Sequence, residues 1–221
     1  MKLVCFDLDH TLLDGDSDVL WCDFLMGRGV LDRDSFAARN AAMDRNYKAG
    51  TVSMAAFSAF YIGTLAGRTP AQWEPLRRAF LQDVVAPRIG ARARALVREQ
   101  QASGALVLMT TATNRFITEL TAINLGIEHL IATDCETDSQ GAFTGRAAGT
   151  LNMRDGKVTR LQAWLAERGQ PLDGCDSWAY SDSINDLPLL SAVRHAVVVH
   201  PDERLASEAA QRGWRVLMLH R

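Results

Sequence analysis

Two carboxylates two residues apart, Asp7 and Asp9, end the apolar run Lys2–Phe6 in the stretch Phe6-Asp7-Leu8-Asp9-His10-Thr11-Leu12. Placed after a buried strand, such a pair can attack an electrophile, exchange protons or hold a hard cation. The carboxyl edge of an open α/β sheet is also where ligands bind. Acids in this position otherwise serve as turn formers or helix caps. Three more polar elements follow in order. Thr111-Ala112-Thr113 comes after the apolar Leu106–Met109; a hydroxyl with backbone N–H groups at a helix start forms an anion site. Lys157, in Asp155-Gly156-Lys157, is one of three lysines in a chain with 21 arginines. A lone ammonium ahead of a helix can pair with a phosphate. Finally, Ser181-Asp182-Ser183-Ile184-Asn185-Asp186 follows the apolar Trp178–Tyr180. Its two acids can hold a hard cation close to the first-strand pair.

Each element also has an ordinary reading, as a cap or a solvated side chain, so their weight lies in the elements that position them. Short apolar runs recur at Ala105–Met109, Leu130–Ala132, Trp178–Tyr180, Ala196–Val199 and Val216–Leu219. Helical stretches separate most of them: Arg88–Ala102, Asn114–Asn124 and Val158–Arg168 each stop before a glycine, and Asp202 caps one running to Gly213. Strands alternating with such helices imply βαβ units, and the expected fold is α/β, a doubly wound, Rossmann-like parallel sheet. Residues 134–150 read as a hairpin. From residue 16 to 87 no strand appears. Helical stripes run through Val19–Met26, through Phe36, Met43 and Tyr47, and through Met54, Phe57, Tyr61 and Leu65. The last holds Trp73, Leu76, Phe80, Leu81 and Val84, behind a Thr69-Pro70 start. The expected organisation is a core of residues 1–15 and 88–221 with a helical cap, 16–87, inserted after the first strand.

Composition narrows the function classes. The 221 residues carry a formal charge of −2, and 48% are hydrophobic. A near-neutral balance argues against binding nucleic acid by broad phosphate neutralisation, and against a polybasic membrane-surface protein. No apolar run reaches the length of a membrane helix, and the short N-terminal run lacks signal-peptide form. The expected setting is cytoplasmic, without membrane insertion. Cys5, Cys22, Cys135 and Cys175 lack zinc-ligand spacing and read as reduced, packed thiols.

Taken together, the four polar elements resemble those of the haloacid-dehalogenase superfamily of phosphohydrolases, across essentially the whole chain. Asp7 and Asp9 match its first motif, Thr111 its second, Lys157 its third, and Asp182 with Asp186 its fourth. The resemblance is closest to the branch containing phosphoserine phosphatase, whose helical cap follows the first motif. It implies that Asp7 is the nucleophile and passes through an aspartyl-phosphate. Asp9 would protonate the leaving alkoxide and later take a proton from water. Mg²⁺ would be held by the Asp7 side chain, the Asp9 carbonyl and Asp182, with Asp186 behind them. Thr111, the Ala112 N–H and Lys157 would bind the phosphoryl oxygens. Dehalogenases of the superfamily lack the second acid, so Asp9 favours phosphoryl chemistry.

The resemblance also implies a substrate class. In that branch an acid nine residues beyond the nucleophile faces the substrate ammonium, and Asp16 stands at that spacing. A small phosphorylated metabolite bearing an amine, such as phosphoserine or histidinol phosphate, is the expected substrate, unless Asp16 only caps a helix. Trp21, Tyr47, Phe57, Tyr61 and Trp73 read as helix packing, and Arg45 or Arg68 as a partner for a substrate carboxylate. Three residues depart from the pattern: Ser181 stands where glycine is usual, His10 where glycine or serine is, and His200, to which no role is assigned, where asparagine is common. His10 reads as solvated or capping, and His129, His195 and His220 as structural. A phosphotransferase or mutase of the same chemistry remains open, as does a phospho-accepting receiver module, although receivers are shorter and lack the helical insertion. The sequence sets no oligomeric state.

Overall fold

Alternation along β1, Lys2–Phe6, decides how the molecule is layered. Leu3 and Cys5 belong to one buried cluster, Val4 and Phe6 to another, because successive strand residues face opposite sides of a sheet. The computed structural model describes residues 1–219, so His220 lies outside the described residues. Its strands are β1, β2 (Leu106–Asn114), β3 (His129–Thr137), β4 (Phe143–Ala148), β5 (Asp176–Ser181), β6 (His195–Val199) and β7 (Arg215–Leu217). They form one sheet in the order β4-β3-β2-β1-β5-β6-β7. Every neighbouring pair is parallel except β3 and β4, the expected hairpin. Each apolar run singled out in the sequence overlaps one of these strands, although Ala105 precedes β2 and Met218 and Leu219 follow β7. Chain order runs outward from β1 to both edges, so the crevice beside β1 is a topological switch point.

Helices cover both faces. The face with Leu3 and Cys5 packs on α7 (Asp155–Ala166), α8 (Leu187–Ala192) and α9 (Glu203–Arg212) through Leu161, Leu165, Leu189, Leu190, Leu205 and Ala209. The face with Val4 and Phe6 packs on α5 (Ala91–Ala102) and α6 (Arg115–Asn124) through Ala93, Val97, Phe116 and Ile117. Helix α7 starts at Asp155, three residues before the expected Val158. Helix α5 starts after the expected Arg88, which lies in a 3₁₀ turn, because Gly90 takes the extended N-cap conformation.

Between β1 and β2 lie α1 (Ser17–Gly27), α2 (Arg33–Ala49), α3 (Met54–Ile62) and α4 (Pro70–Phe80), and α4 runs on through a π-helical turn, Leu81–Val85. Their starts follow local chemistry. Asp16, Asp32 and Ser53 each accept a hydrogen bond from the backbone N–H three residues on, and Thr69 forms a capping box with Gln72. These helices do not share one core. Trp21 and Phe24 of α1, with Trp73 and Phe80 of α4, join the cluster of Val4 and Phe6; the Trp21 ring meets those of Trp73 and Phe80 edge-on at 5.7 and 5.1 Å. Helices α2 and α3 instead pack in a smaller cluster around Cys22, Phe57, Tyr61 and Met153, and Asn40 is the only buried residue of α2.

The four cysteines are free, with Cys5, Cys22 and Cys175 buried and Cys135 partly so. His129 packs edge-on against Trp164, and His195 stacks on Trp178 while reaching Asp176. Both histidines are structural. Among the described residues, no helix is long and apolar enough to cross a membrane.

Candidate active site

Asp7 sits one residue beyond β1, and its backbone N–H donates to the Tyr180 carbonyl of β5 at 2.9 Å. That bond fixes the carboxylate at the sheet's carboxyl edge. Lys157, in the first turn of α7, places Nζ 2.7 Å from Asp7 Oδ1 and 2.6 Å from Asp186 Oδ2. All three side chains are buried, with Lys157 3% exposed. Ser181 Oγ, at the end of β5, donates to the same Asp186 oxygen at 2.7 Å. The Thr11 hydroxyl lies 3.2 Å from Asp7 Oδ2 and 3.3 Å from Asp182 Oδ1, and accepts from the Asp182 N–H at 3.1 Å. Asp9 is held on both oxygens: Oδ1 accepts from the Ser17 N–H at 2.7 Å, and Oδ2 from Thr111 and Thr113 at 3.3 and 3.0 Å.

A buried asparagine absent from the sequence-based candidates ties this edge together. Asn152 Nδ2 reaches Thr110 Oγ1 and the carbonyls of Thr111 and Ile131, each at 2.9 Å. It thereby pins the approach to α7, and with it Lys157, onto the ends of β2 and β3. Nothing local in the sequence marks it, since its partners lie 21 to 42 residues away.

Charge at this edge is unbalanced. Burial pushes the Asp7 carboxyl up to about 7; the Lys157 ammonium opposes that rise, and the Asp186 and Asp9 carboxylates add to it. Asp182 is raised well above the usual range by burial, then by Asp7 and Asp186. Burial disfavours the charge on Lys157, but Asp186 and Asp7 outweigh it and hold the ammonium above its ordinary value. Carboxylates thus crowd a dry site that one ammonium does not neutralise, and a divalent cation fits that donor set. Among the described residues no group of three or more Asp, Glu, His or Cys side chains forms a ready-made metal cage. A cation that keeps most of its waters, as Mg²⁺ does, needs no such cage.

Next to these groups opens a pocket of about 500 Å³. Asp7, Asp9, Ala112, Thr113, Lys157, Asp182 and Asp186 line it, whereas Thr111 is fully buried behind Asp9. Asp14, Asp16, Tyr47, Lys48 and Phe57 line it too. Asp16 caps α1 through the Val19 N–H and also lines the pocket. Trp21 and Trp73 are packing residues as expected, and Tyr61 is buried. Tyr47 and Phe57 pack as well, with ring centroids 4.1 Å apart, and both also line the pocket. Neither Arg45 nor Arg68 lines it, and Arg68 lies over the Trp73 ring at 4.6 Å; Lys48 is the cation there instead. His10 and His200 also line the pocket, both with positive φ, 54° and 44°. The expectation that His10 is a solvated or capping residue is therefore replaced by a place in the pocket wall. Non-glycine residues at such angles concentrate at functional sites, where surrounding structure holds the strain.

A doubly wound sheet whose carboxyl edge gathers buried carboxylates and a buried lysine beside a pocket defines the class: an α/β enzyme with its site at a topological switch point. The chain belongs to the haloacid dehalogenase-like hydrolase family, whose pattern matches residues 4–191, and it is a phosphatase. It is 39% identical over 217 residues to a histidinol-phosphatase of Neisseria meningitidis, covering 98% of each chain. A phosphoserine phosphatase of Mycobacterium tuberculosis is 32% identical over 219 residues, 96% of this chain and 68% of the relative. A crystal structure of a Bordetella pertussis protein of unknown function superposes with a TM-score of 0.93 at 39% identity, over 99% of both chains. A substrate-bound phosphoserine phosphatase superposes at 0.69 and 15% identity over 94% of this chain and 90% of that one, a likeness of fold alone.

Proposed function

We propose that the protein hydrolyses a small amino-bearing phosphomonoester that lacks a carboxylate, of the histidinol phosphate type. Asp7 attacks phosphorus and carries the phosphoryl group as an aspartyl-phosphate, which splits one difficult displacement into two. Asp9 gives a proton to the departing alkoxide and afterwards takes one from the attacking water. Lys157 aligns Asp7 and faces the phosphoryl oxygens, with Thr111 and the Ala112 N–H completing their binding. Asp7, the Asp9 carbonyl and Asp182 would hold Mg²⁺, with Asp186 behind them, and the cation would offset the repulsion between two anions. The helices of residues 16–87 act as a cap over the core of residues 1–15 and 88–221, and the setting is cytoplasmic.

The observation that carries the substrate reading is the pocket lining, which holds two acids, Asp14 and Asp16, and the Tyr47–Phe57 ring pair and, among the described residues, no arginine. Acids suit an ammonium and aromatic rings suit a flat aromatic group, whereas the cations available to a carboxylate are Lys48 and Lys157, the latter already paired with Asp7 and Asp186. Similarity to the Neisseria histidinol-phosphatase supports the same reading.

The test is free-phosphate release with Mg²⁺ from L-histidinol phosphate, L-phosphoserine and p-nitrophenyl phosphate. Histidinol phosphate should give the highest kcat/KM. Asp7→Asn should lower turnover of all three on the order of 10⁴-fold or more, as loss of a nucleophile does. Dephosphorylation of the donor only when an acceptor alcohol is added, with the phosphoryl group recovered as the acceptor's phosphate ester and no free phosphate, would instead make the protein a phosphotransferase. Preference for phosphoserine would overturn the substrate reading.

A further inference from the structure

Asp18, in the first turn of α1, is 3% exposed and has no part in the chemistry above. Its Oδ2 lies 3.1 Å from Thr113 Oγ1. The same hydroxyl oxygen lies 3.0 Å from Asp9 Oδ2 and receives the Ser17 hydroxyl at 3.1 Å. Three oxygens thus surround one that owns a single proton and two acceptor positions. Ser17 fills one of those positions. Were Asp9 and Asp18 both ionised, Thr113 could satisfy only one of them, and the other would face a lone pair across a dry contact. One carboxyl must bring its own proton.

The surroundings say which. Asp9 Oδ2, the oxygen facing Thr113, also accepts from Thr111, and Oδ1 accepts from the Ser17 N–H, so Oδ2 is placed as an acceptor. Asp18 has Thr113 alone; its Oδ1 is buried with no hydrogen-bond partner among the described residues. An uncharged carbonyl left so is far less costly than a carboxylate. Burial, with Asp16 and Asp9 nearby, also drives the Asp18 carboxyl well above the ordinary range.

We infer that Asp18 is a positioning residue: as a neutral acid it donates to Thr113 and so commits the one Thr113 hydroxyl proton to Asp9. Asp18 does not itself line the pocket; it reaches the site through Thr113, which does. It sets the direction of the donor that keeps the Asp9 carboxyl aimed at the leaving group. The inference rests on the reading of Asp9 as the acid and base.

Asn at position 18 keeps the shape and can donate from its amide, so it tests the proton rather than the volume. Purified D18N, D18A and T113V are compared with the parent enzyme on p-nitrophenyl phosphate, whose leaving group needs little protonation, and on L-histidinol phosphate, whose alkoxide needs it. D18A and T113V should lose about 10- to 100-fold in kcat/KM on histidinol phosphate, within the range general-acid help supplies. On the aryl ester D18A should lose about threefold or less. D18N should restore both values to within about threefold of the parent. D18N falling as far as D18A, or equal losses on the two esters, overturns the inference. If D18A does not fold, D18N and T113V decide by the same criteria. A parent inert on both esters overturns the phosphatase reading and this inference together; an active parent whose D18A is unimpaired overturns this inference alone.

Discussion

Ser181 Oγ and Lys157 Nζ meet on one oxygen, Asp186 Oδ2, at 2.7 and 2.6 Å, so the residue that departs from the family pattern is built into the site. A hydrogen bond to a charged group is worth about 1.5–3 kcal/mol. Ser181→Ala should therefore lower kcat/KM by about tenfold and raise the Mg²⁺ concentration for half-activation, both read from a metal titration of phosphate release. An unchanged half-activation would mean that Asp186 needs only Lys157. Asp16 gives a pH prediction. Burial, then the Asp9 carboxylate, pushes it up to about 7, against the Val19 N–H, which favours the anion. The anion is the form that attracts an ammonium, and it prevails above that value. KM for histidinol phosphate should therefore fall between about pH 6 and pH 8 relative to KM for p-nitrophenyl phosphate, and Asp16→Asn should remove the difference. Parallel KM profiles would exclude the ammonium contact. Asp7, Asp9, Lys157, Asp182 and Asp186 were legible in sequence because each follows an apolar run or opens a helix. Asn152, and the pairing of Asp18 with Thr113, were not: their meaning lies in contacts across 41 and 95 residues, which no local spacing encodes.

At the scale of elements, caps and apolar runs made most boundaries readable, and the exceptions have physical causes. The early start of α7 follows the turn at Arg154, which takes φ 50° and sends the chain into the helix before its apolar stripe begins. The π-helical turn after α4 has no sequence signature beyond a helical stripe. One ion-pair cluster joins three elements and was not foreseen: Asp134 of β3 accepts from Arg115, which opens α6, and from Arg160 of α7. Burial alone would raise the Asp134 carboxyl, but the two arginines hold it below its usual value. A carboxylate with a lowered value in the fold adds stability above its unfolded value and loses it as pH falls through the folded one. Asp134→Asn should thus cost a little at neutral pH, about 1 kcal/mol or less for so exposed a pair. Urea melts should show that deficit narrowing toward about pH 3. A deficit constant with pH would assign the effect to packing instead.

Over the whole molecule, the helical insertion read as one block in sequence divides by packing into two parts. Helical periodicity reports that a stripe is buried but not against what, and so the division was illegible. Trp73 is 2% exposed, sits in the cluster of Val4 and Phe6, and donates from Nε1 to the Leu65 carbonyl at 2.9 Å. Helix α4 therefore belongs energetically to the sheet, and Trp73→Ala should destabilise the molecule by about 3–5 kcal/mol in urea unfolding. Helix α2 contributes no buried apolar side chain, yet it carries Tyr47 and Lys48 into the pocket wall. Replacing residues 33–49 by a flexible linker should leave one cooperative unfolding transition and retain turnover of p-nitrophenyl phosphate, because Asp7, Asp9 and Lys157 keep their supports. The kcat/KM ratio of histidinol phosphate to the aryl ester should fall by about tenfold, the worth of about 1.4 kcal/mol of lost ring and charge contacts. A linker variant that unfolds with Trp73→Ala would place α2 in the sheet's core. One that keeps the parent's ratio would remove α2 from substrate choice.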